Sequence, residues 1–167
     1  MATSITGSGV ATPQLSVSGQ TTLGSTPNVT TPQSMVQLNT ANGYGSTNTM
    51  IRRFSNVVVN QGSDITYTDS AVNGASFTVN TSGVYAITYS DNFSSGSVIG
   101  LSLNANQLSA AIMYINAANI LNLAATTPGN SQSVSWVGYV AAGSVVRAHD
   151  AGTAGTLYTF FTMARVA

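Results

Sequence analysis

The chain has 167 residues, enough for one domain with a real core and too few for two comfortable ones. Only 5% of them are charged, against about a quarter in an average domain. The charge is Arg52, Arg53, Arg147 and Arg165 against Asp64, Asp69, Asp91 and Asp150, with no Lys, Glu or Cys. This balance excludes an electrostatic footprint for nucleic acid or an anionic membrane, and it excludes disulfides and thiolate metal sites. Solubility must then rest on hydroxyl and amide groups, or on surface hidden in an assembly.

The first residues, Met1-Ala2-Thr3-Ser4-Ile5, have neither a charged n-region nor an apolar h-region, so no secretory signal peptide is expected. Residues 1–33 are rich in Thr, Ser, Gly and Pro, with Pro13, Pro27 and Pro32 as breakers, and are predicted to be an extended arm; residues 34–167 form the domain. Inside the arm, Gln14-Leu15-Ser16-Val17-Ser18-Gly19-Gln20-Thr21-Thr22-Leu23-Gly24 alternates Leu15 and Val17 with polar residues and reaches Leu23 after a Gly turn. It resembles one unit of an intertwined bacteriophage fibre shaft, and a plain Ser/Thr-rich linker is the other reading. The resemblance implies that Leu15, Val17 and Leu23 attach the chain to a virion.

From Met35 onward, strand signals recur at 35–38, 51–59, 65–67, 76–79, 84–89, 98–103, 112–115, 120–123, 134–140, 145–149 and 158–166. The breaks carry Gly or Asn: Asn42-Gly43, Gln61-Gly62, Asn73-Gly74, Ser82-Gly83, Ser95-Gly96, Pro128-Gly129 and Ala142-Gly143. Many short strands with turn signals predict an all-β sandwich or jelly roll. Residues 106–123 would tolerate a helical turn and are read here as strands. The longest weakly polar tract, 112–125, is broken by Asn116, Asn119 and Asn122 and falls short of the ~20 apolar residues that span a membrane.

The segment Phe77 to Tyr89, Phe-Thr-Val-Asn-Thr-Ser-Gly-Val-Tyr-Ala-Ile-Thr-Tyr, joins two alternating patterns across a polar turn and predicts a hairpin, with Tyr85, Ile87 and Tyr89 on one face. Its Phe-x-Val, turn, Gly-Val-Tyr-x-Ile-x-Tyr pattern resembles the globular heads of the complement component one-q and tumour necrosis factor family. Ser133 to Ala148 is similar to the family's penultimate hairpin, and the run from Leu157 to Val166 resembles its terminal strand, which lies centrally beside the first. One departure is that Gly143 is followed by Ser144 where the family usually places Asp. The resemblance covers about the C-terminal two thirds and implies a homotrimeric jelly roll. Tyr158 and Phe160 alternate with Phe161, so the last strand is apolar on both faces, as one between a core and a subunit interface should be. Tyr85, Tyr89, Tyr158 and Phe160 are the expected trimer-interface residues.

Catalytic chemistry is hard to build from one His and no Cys, Lys or Glu. Ser144, His149 and Asp150 lie close in sequence, but adjacent strand residues point to opposite faces, so Asp150 would not orient the His149 ring. His149 is expected to face solvent or bond locally, and no catalytic residue, cofactor or metal is assigned. Asp64, Asp69 and Asp91 lack the loop spacing of a calcium-binding hand, and Asp69-Ser70 and Asp91-Asn92 read as turn formers. The resemblance would allow an ion between subunits. Arg52 and Arg53 would face opposite ways, and one is expected to pair with an Asp of a neighbouring subunit. The sequons at Asn28, Asn80 and Asn92 are read as chance in so Asn-, Ser- and Thr-rich a chain. Tyr85, Tyr89, Trp136, Tyr139, Tyr158, Phe160 and Phe161 offer a sugar-stacking platform or a packed core, and the core reading has precedence.

A jelly roll without signal peptide, cysteines or charge, behind a polar arm, resembles a bacteriophage virion protein. The expected function is therefore structural, as a trimeric capsid decoration or cement protein or head fibre on the virion surface, bound to the major capsid protein or another virion protein. The alternative is the receptor-binding tip of a tail fibre or spike, holding a host-surface glycan through the loops at 93–97 and 126–133.

Overall fold

The computed structural model describes residues 34–92, 98–125, 131–150 and 158–167. These hold ten strands: β1 Met35–Tyr44, β2 Arg52–Gln61, β3 Ile65–Ser70, β4 Gly74–Val79, β5 Gly83–Asn92, β6 Val98–Leu103, β7 Ile120–Ala125, β8 Ser131–Val140, β9 Val145–Asp150 and β10 Phe160–Arg165. They make two five-stranded antiparallel sheets, the first ordered β2-β1-β10-β5-β8 and the second β3-β4-β9-β6-β7. The last strand lies between β1 and β5, in the middle of the first sheet and beside the first strand, as the family resemblance implied. Arm residues 1–33, with Leu15, Val17 and Leu23, lie outside the described residues, as do 93–97 and 126–130 of the two expected loops; 131–133 open β8.

Two predicted hairpins are instead corners. β4 belongs to the second sheet and β5 to the first, so Phe77 and Tyr85 belong to opposite layers; β8 and β9 are split in the same way. Alternation fixes which side chains share a face, but it is the same whether the chain reverses beside itself or crosses to the other layer. The crossing is held by side chains that a two-residue turn would not need. Tyr85 donates its hydroxyl to the Thr81 carbonyl at 2.6 Å, and Asn80 reaches back to the Ser63 carbonyl at 2.7 Å. The second corner docks on the first, with Gly143 N–H donating to the Val79 carbonyl and Val79 N–H to that of Ser144.

Between the layers lies an apolar core in which the aromatics form a chain. Phe77 of β4 stacks on Phe161 of β10 with ring centroids 3.8 Å apart, and Phe54 stands edge-on to Phe77 and Tyr89. The predicted break at Asn42-Gly43 falls inside β1, where Gly43 adopts a φ of 71° and a register shift against β2 absorbs the extra residue. It is a bulge, not a strand end.

Residues 112–115, read as a strand, form no strand. The connection 104–119 carries two short 3-10 turns, Ile112–Tyr114 and Ala117–Asn119. Side-chain amides capture backbone donors there: Gln107 accepts from Asn116 N–H, and Asn116 from Ala118 N–H. Such local bonds compete with a sheet ladder. The connection folds against the second sheet, where Ala105, Ile112 and Ile115 make a small separate core with Val98 and Ile120.

Candidate subunit interface

Strand parity divides the first sheet into an inner and an outer face. On β5, Tyr85, Ile87 and Tyr89 are fully buried and point inward, which sends Val84, Ala86, Thr88 and Ser90 outward. On β10, Phe161 and Met163 are inward, and on β8, Val134 and Val140. Cross-strand register then aligns the outward residues in rows: Tyr139 beside Val84; Val137, Ala86, Ala164 and Met35; Ser135, Thr88, Thr162 and Gln37; Ser133, Ser90, Phe160 and Asn39. No charged residue lies in any row. Val137 and Tyr139 are each 66% exposed and Phe160 is 49% exposed.

At the end of this face Tyr158 is 66% exposed and holds a φ of 63°, the left-handed region that a bulky residue rarely enters. Thr159, next in the chain, is fully buried, and its hydroxyl donates to Asp91 at 2.6 Å. The buried neighbour thus fixes the chain while Tyr158 is turned outward.

Of the four expected interface residues, Tyr158 and Phe160 lie on the surface. Tyr85 and Tyr89 do not: both are fully buried within the single chain, so neither is available to a second subunit. They were assigned outward because their shared face was legible and its direction was not. Val84, Ala86, Val137, Tyr139 and Met35, which lie on the same outer face as Phe160, were not among the expected residues. The available signal was the one used for the last strand, since Val134 and Trp136 alternate with Val137 and Tyr139 along β8, making it apolar on both faces. Of the aromatics weighed for stacking on sugar, Tyr85, Tyr89 and Phe161 are in the core and Trp136 packs against it.

Three of the four arginines are paired with carboxylates of the same chain. Of Arg52 and Arg53, one was expected to reach another subunit; Arg52 is buried and binds Asp91 through Nε at 2.8 Å. Asp91 also accepts from the Tyr89 hydroxyl at 2.9 Å, and Arg52 lies 4.9 Å over the Tyr44 ring. Burial, the largest single influence, pulls the Arg52 guanidinium down, but Asp91, Tyr89 and Tyr44 together outweigh it and the net shift is upward. The Tyr89 phenol is pushed well above its ordinary value, mainly by burial and then by Asp91. Arg53 pairs with Asp69 at 2.7 Å and Arg165 with Asp64 at 3.4 Å. The three carboxylates considered for calcium thus each meet a guanidinium, and Asp91 closes a buried network instead of shaping a turn.

His149 is also fully buried, which corrects the expectation of a solvent-facing or locally bonded ring. Its Nε2 is 2.8 Å from the Ser102 hydroxyl on the neighbouring strand, while Asp150 accepts from the Tyr44 hydroxyl. Ser102 and His149 make no hydrolytic site, because both are sealed from solvent and no carboxylate orients the ring.

No family model matches the sequence, and no curated protein sequence does. Solved structures do match the backbone. Against murine APRIL crystallised at pH 8.5 the TM-score is 0.58 at 12% identity, over 80% of this chain and 99% of that one. Against the same protein at pH 8.0 it is 0.57 at 13% identity with the same coverage. The shared property is the fold, an all-β jelly roll of the tumour necrosis factor type.

Proposed function

We propose that the protein is a non-enzymatic homotrimer whose subunits meet through the outer face of the first sheet. The observation that carries this is the charge-free, partly apolar set of rows ending in Val137, Tyr139 and Phe160, set in a chain too poorly charged to solvate such a face by itself. Light scattering on the full chain tests it: the mass should be about three times 17.0 kDa, and a stable monomer at micromolar concentration defeats it.

We further propose that the trimer sits on the surface of a bacteriophage particle as a decoration protein or head fibre, held by residues 1–33. Support comes from the shaft-like alternation of Leu15, Val17 and Leu23 and from the scarcity of charge. A decorating trimer stabilises the shell by binding only its assembled state. Particles lacking it should adsorb to host cells normally and lose their genomes sooner on heating. Lost adsorption with an unchanged shell would favour the tail-tip alternative.

A further inference from the structure

The connection 104–119 is closed on itself and lightly fastened to the rest of the chain. Its ends are drawn together by Asn119, whose side chain donates to the Leu103 carbonyl at 2.8 Å. At its start Asn104 takes a φ of 53°, and its side chain accepts from Val145 N–H. The segment reaches the loop at 45–51 through two hydrogen bonds, Ser109 Oγ to the Thr47 carbonyl at 2.6 Å and Met50 N–H to the Leu108 carbonyl at 3.3 Å. Its inner side is the apolar group Ala105, Ile112 and Ile115, seated over Gly100, where an added Cβ would lie 2.7 Å from Ile112 Cγ1.

In the same outer layer of the second sheet are Gly100, Ser102, Arg147 and His149, in register across β6 and β9. The His149 ring touches Ser102, and Nδ1 makes no well-aligned hydrogen bond. Ala110 of the connection presents its backbone to the ring. No carboxylate is present to receive a proton's charge. Asp64, Asp69 and Asp91 are bound to arginines and Asp150 to Tyr44; 104–119 holds no ionisable side chain except the exposed Tyr114, and 45–51 holds none. The one charged neighbour is Arg147, a cation, which opposes protonation.

We propose that residues 104–119 are an acid-released strap, kept closed over the second sheet while His149 is uncharged and opened as a unit when the ring takes a proton. Burial pushes the ring down to about 4, against the Ala110 backbone and with help from Arg147. A depressed folded value means that the closed state binds fewer protons than the open one. Closure is therefore fully favoured above the ordinary value near 6.5 and weakens as the pH falls toward 4.

Hydrogen exchange on the intact protein, corrected for the intrinsic effect of pH, reads this directly. Protection of amides 105–119 should lie well below that of β5 and β10 at both pH values, because the strap opens without the sheets, and should fall roughly a hundredfold between pH 6.5 and pH 4. In H149Q the strap's protection should not vary with pH over that range. In R147Q, where the opposing cation is gone and the ring's own value rises, the fall should be several-fold smaller, a readout that survives if H149Q does not fold. Strap protection that is independent of pH, or that equals that of β5 and β10 at every pH so that the segment opens only with the whole fold, overturns the proposal.

Discussion

Val137→Asp tests the proposed seam most directly. Val137 is 66% exposed on the outer face of β8, in a row with Ala86, Ala164 and Met35. Full burial of a Val side chain is worth roughly 1.5 kcal/mol or more, so about two thirds of that is still available for each subunit to gain on assembly. An Asp there removes this gain and places a carboxylate in rows that hold no cation. Leaving it unpaired in the seam costs about 3 kcal/mol per copy, and three copies raise the total to on the order of 10 kcal/mol. At about 1.4 kcal/mol per tenfold, assembly at micromolar concentration should be abolished. In the isolated subunit Val137 is already two-thirds exposed, so the protomer should lose only about 1 kcal/mol, from the buried third and from strand propensity. Light scattering should return a 17.0 kDa particle with an unchanged β-sheet circular dichroism spectrum. A variant that keeps the wild-type mass would refute the location of the seam; Thr68→Asp on the second sheet is the control and should leave assembly intact.

Asp91→Asn removes the charge facing buried Arg52 while keeping the side chain's shape, and should cost about 3–5 kcal/mol in denaturant unfolding. Tyr158→Gly should relieve a left-handed strain of about 1 kcal/mol and raise protomer stability, yet weaken assembly measured by dilution. Gly100→Ala sets a Cβ 2.8 Å from the immobile Asn122 carbonyl, so a loss of about 1–3 kcal/mol is expected, with strap amides exchanging faster. Between pH 6.5 and 4 the neutral burial of His149 should withdraw on the order of 3 kcal/mol from global stability, and His149→Gln should flatten that part of the unfolding curve.

Strands and their parity were legible because period-two alternation is a local property. β6 begins and ends at the predicted 98 and 103, and β10 occupies the middle of its sheet as the family resemblance implied. What was not legible depends on contacts distant in sequence. Whether Ser82-Gly83 turns within a layer or carries the chain across is decided by Asn80 reaching the Ser63 carbonyl and by Gly143 docking on Val79. Whether Tyr85 and Tyr89 or Val84 and Ala86 face the core is decided by the layer opposite. His149 is buried because a connection whose Asn and Gln side chains favour turns over strands folds across the second sheet.

The two sheets make the case for one particular seam by their contrast. Both outer faces are nearly free of charge, so charge does not choose between them. On the second sheet the exposed pairs next to β9 are Thr66 with Thr78 and Thr68 with Ser76, hydroxyls that water solvates at no loss. Elsewhere on that sheet apolar surface is already covered by Ile112 and Ile115 of the strap. Among the described residues the first sheet has no such cover, and its rows hold Val84, Ala86, Val137, Tyr139, Ala164 and Phe160 in place of hydroxyl pairs. A chain that covers part of the apolar surface of one sheet with its own 104–119 and, among its described residues, leaves the other bare offers that second surface to another copy. In the proposed trimer this face meets a different part of the neighbour, since a three-fold ring is built from two complementary surfaces and not from one patch meeting itself.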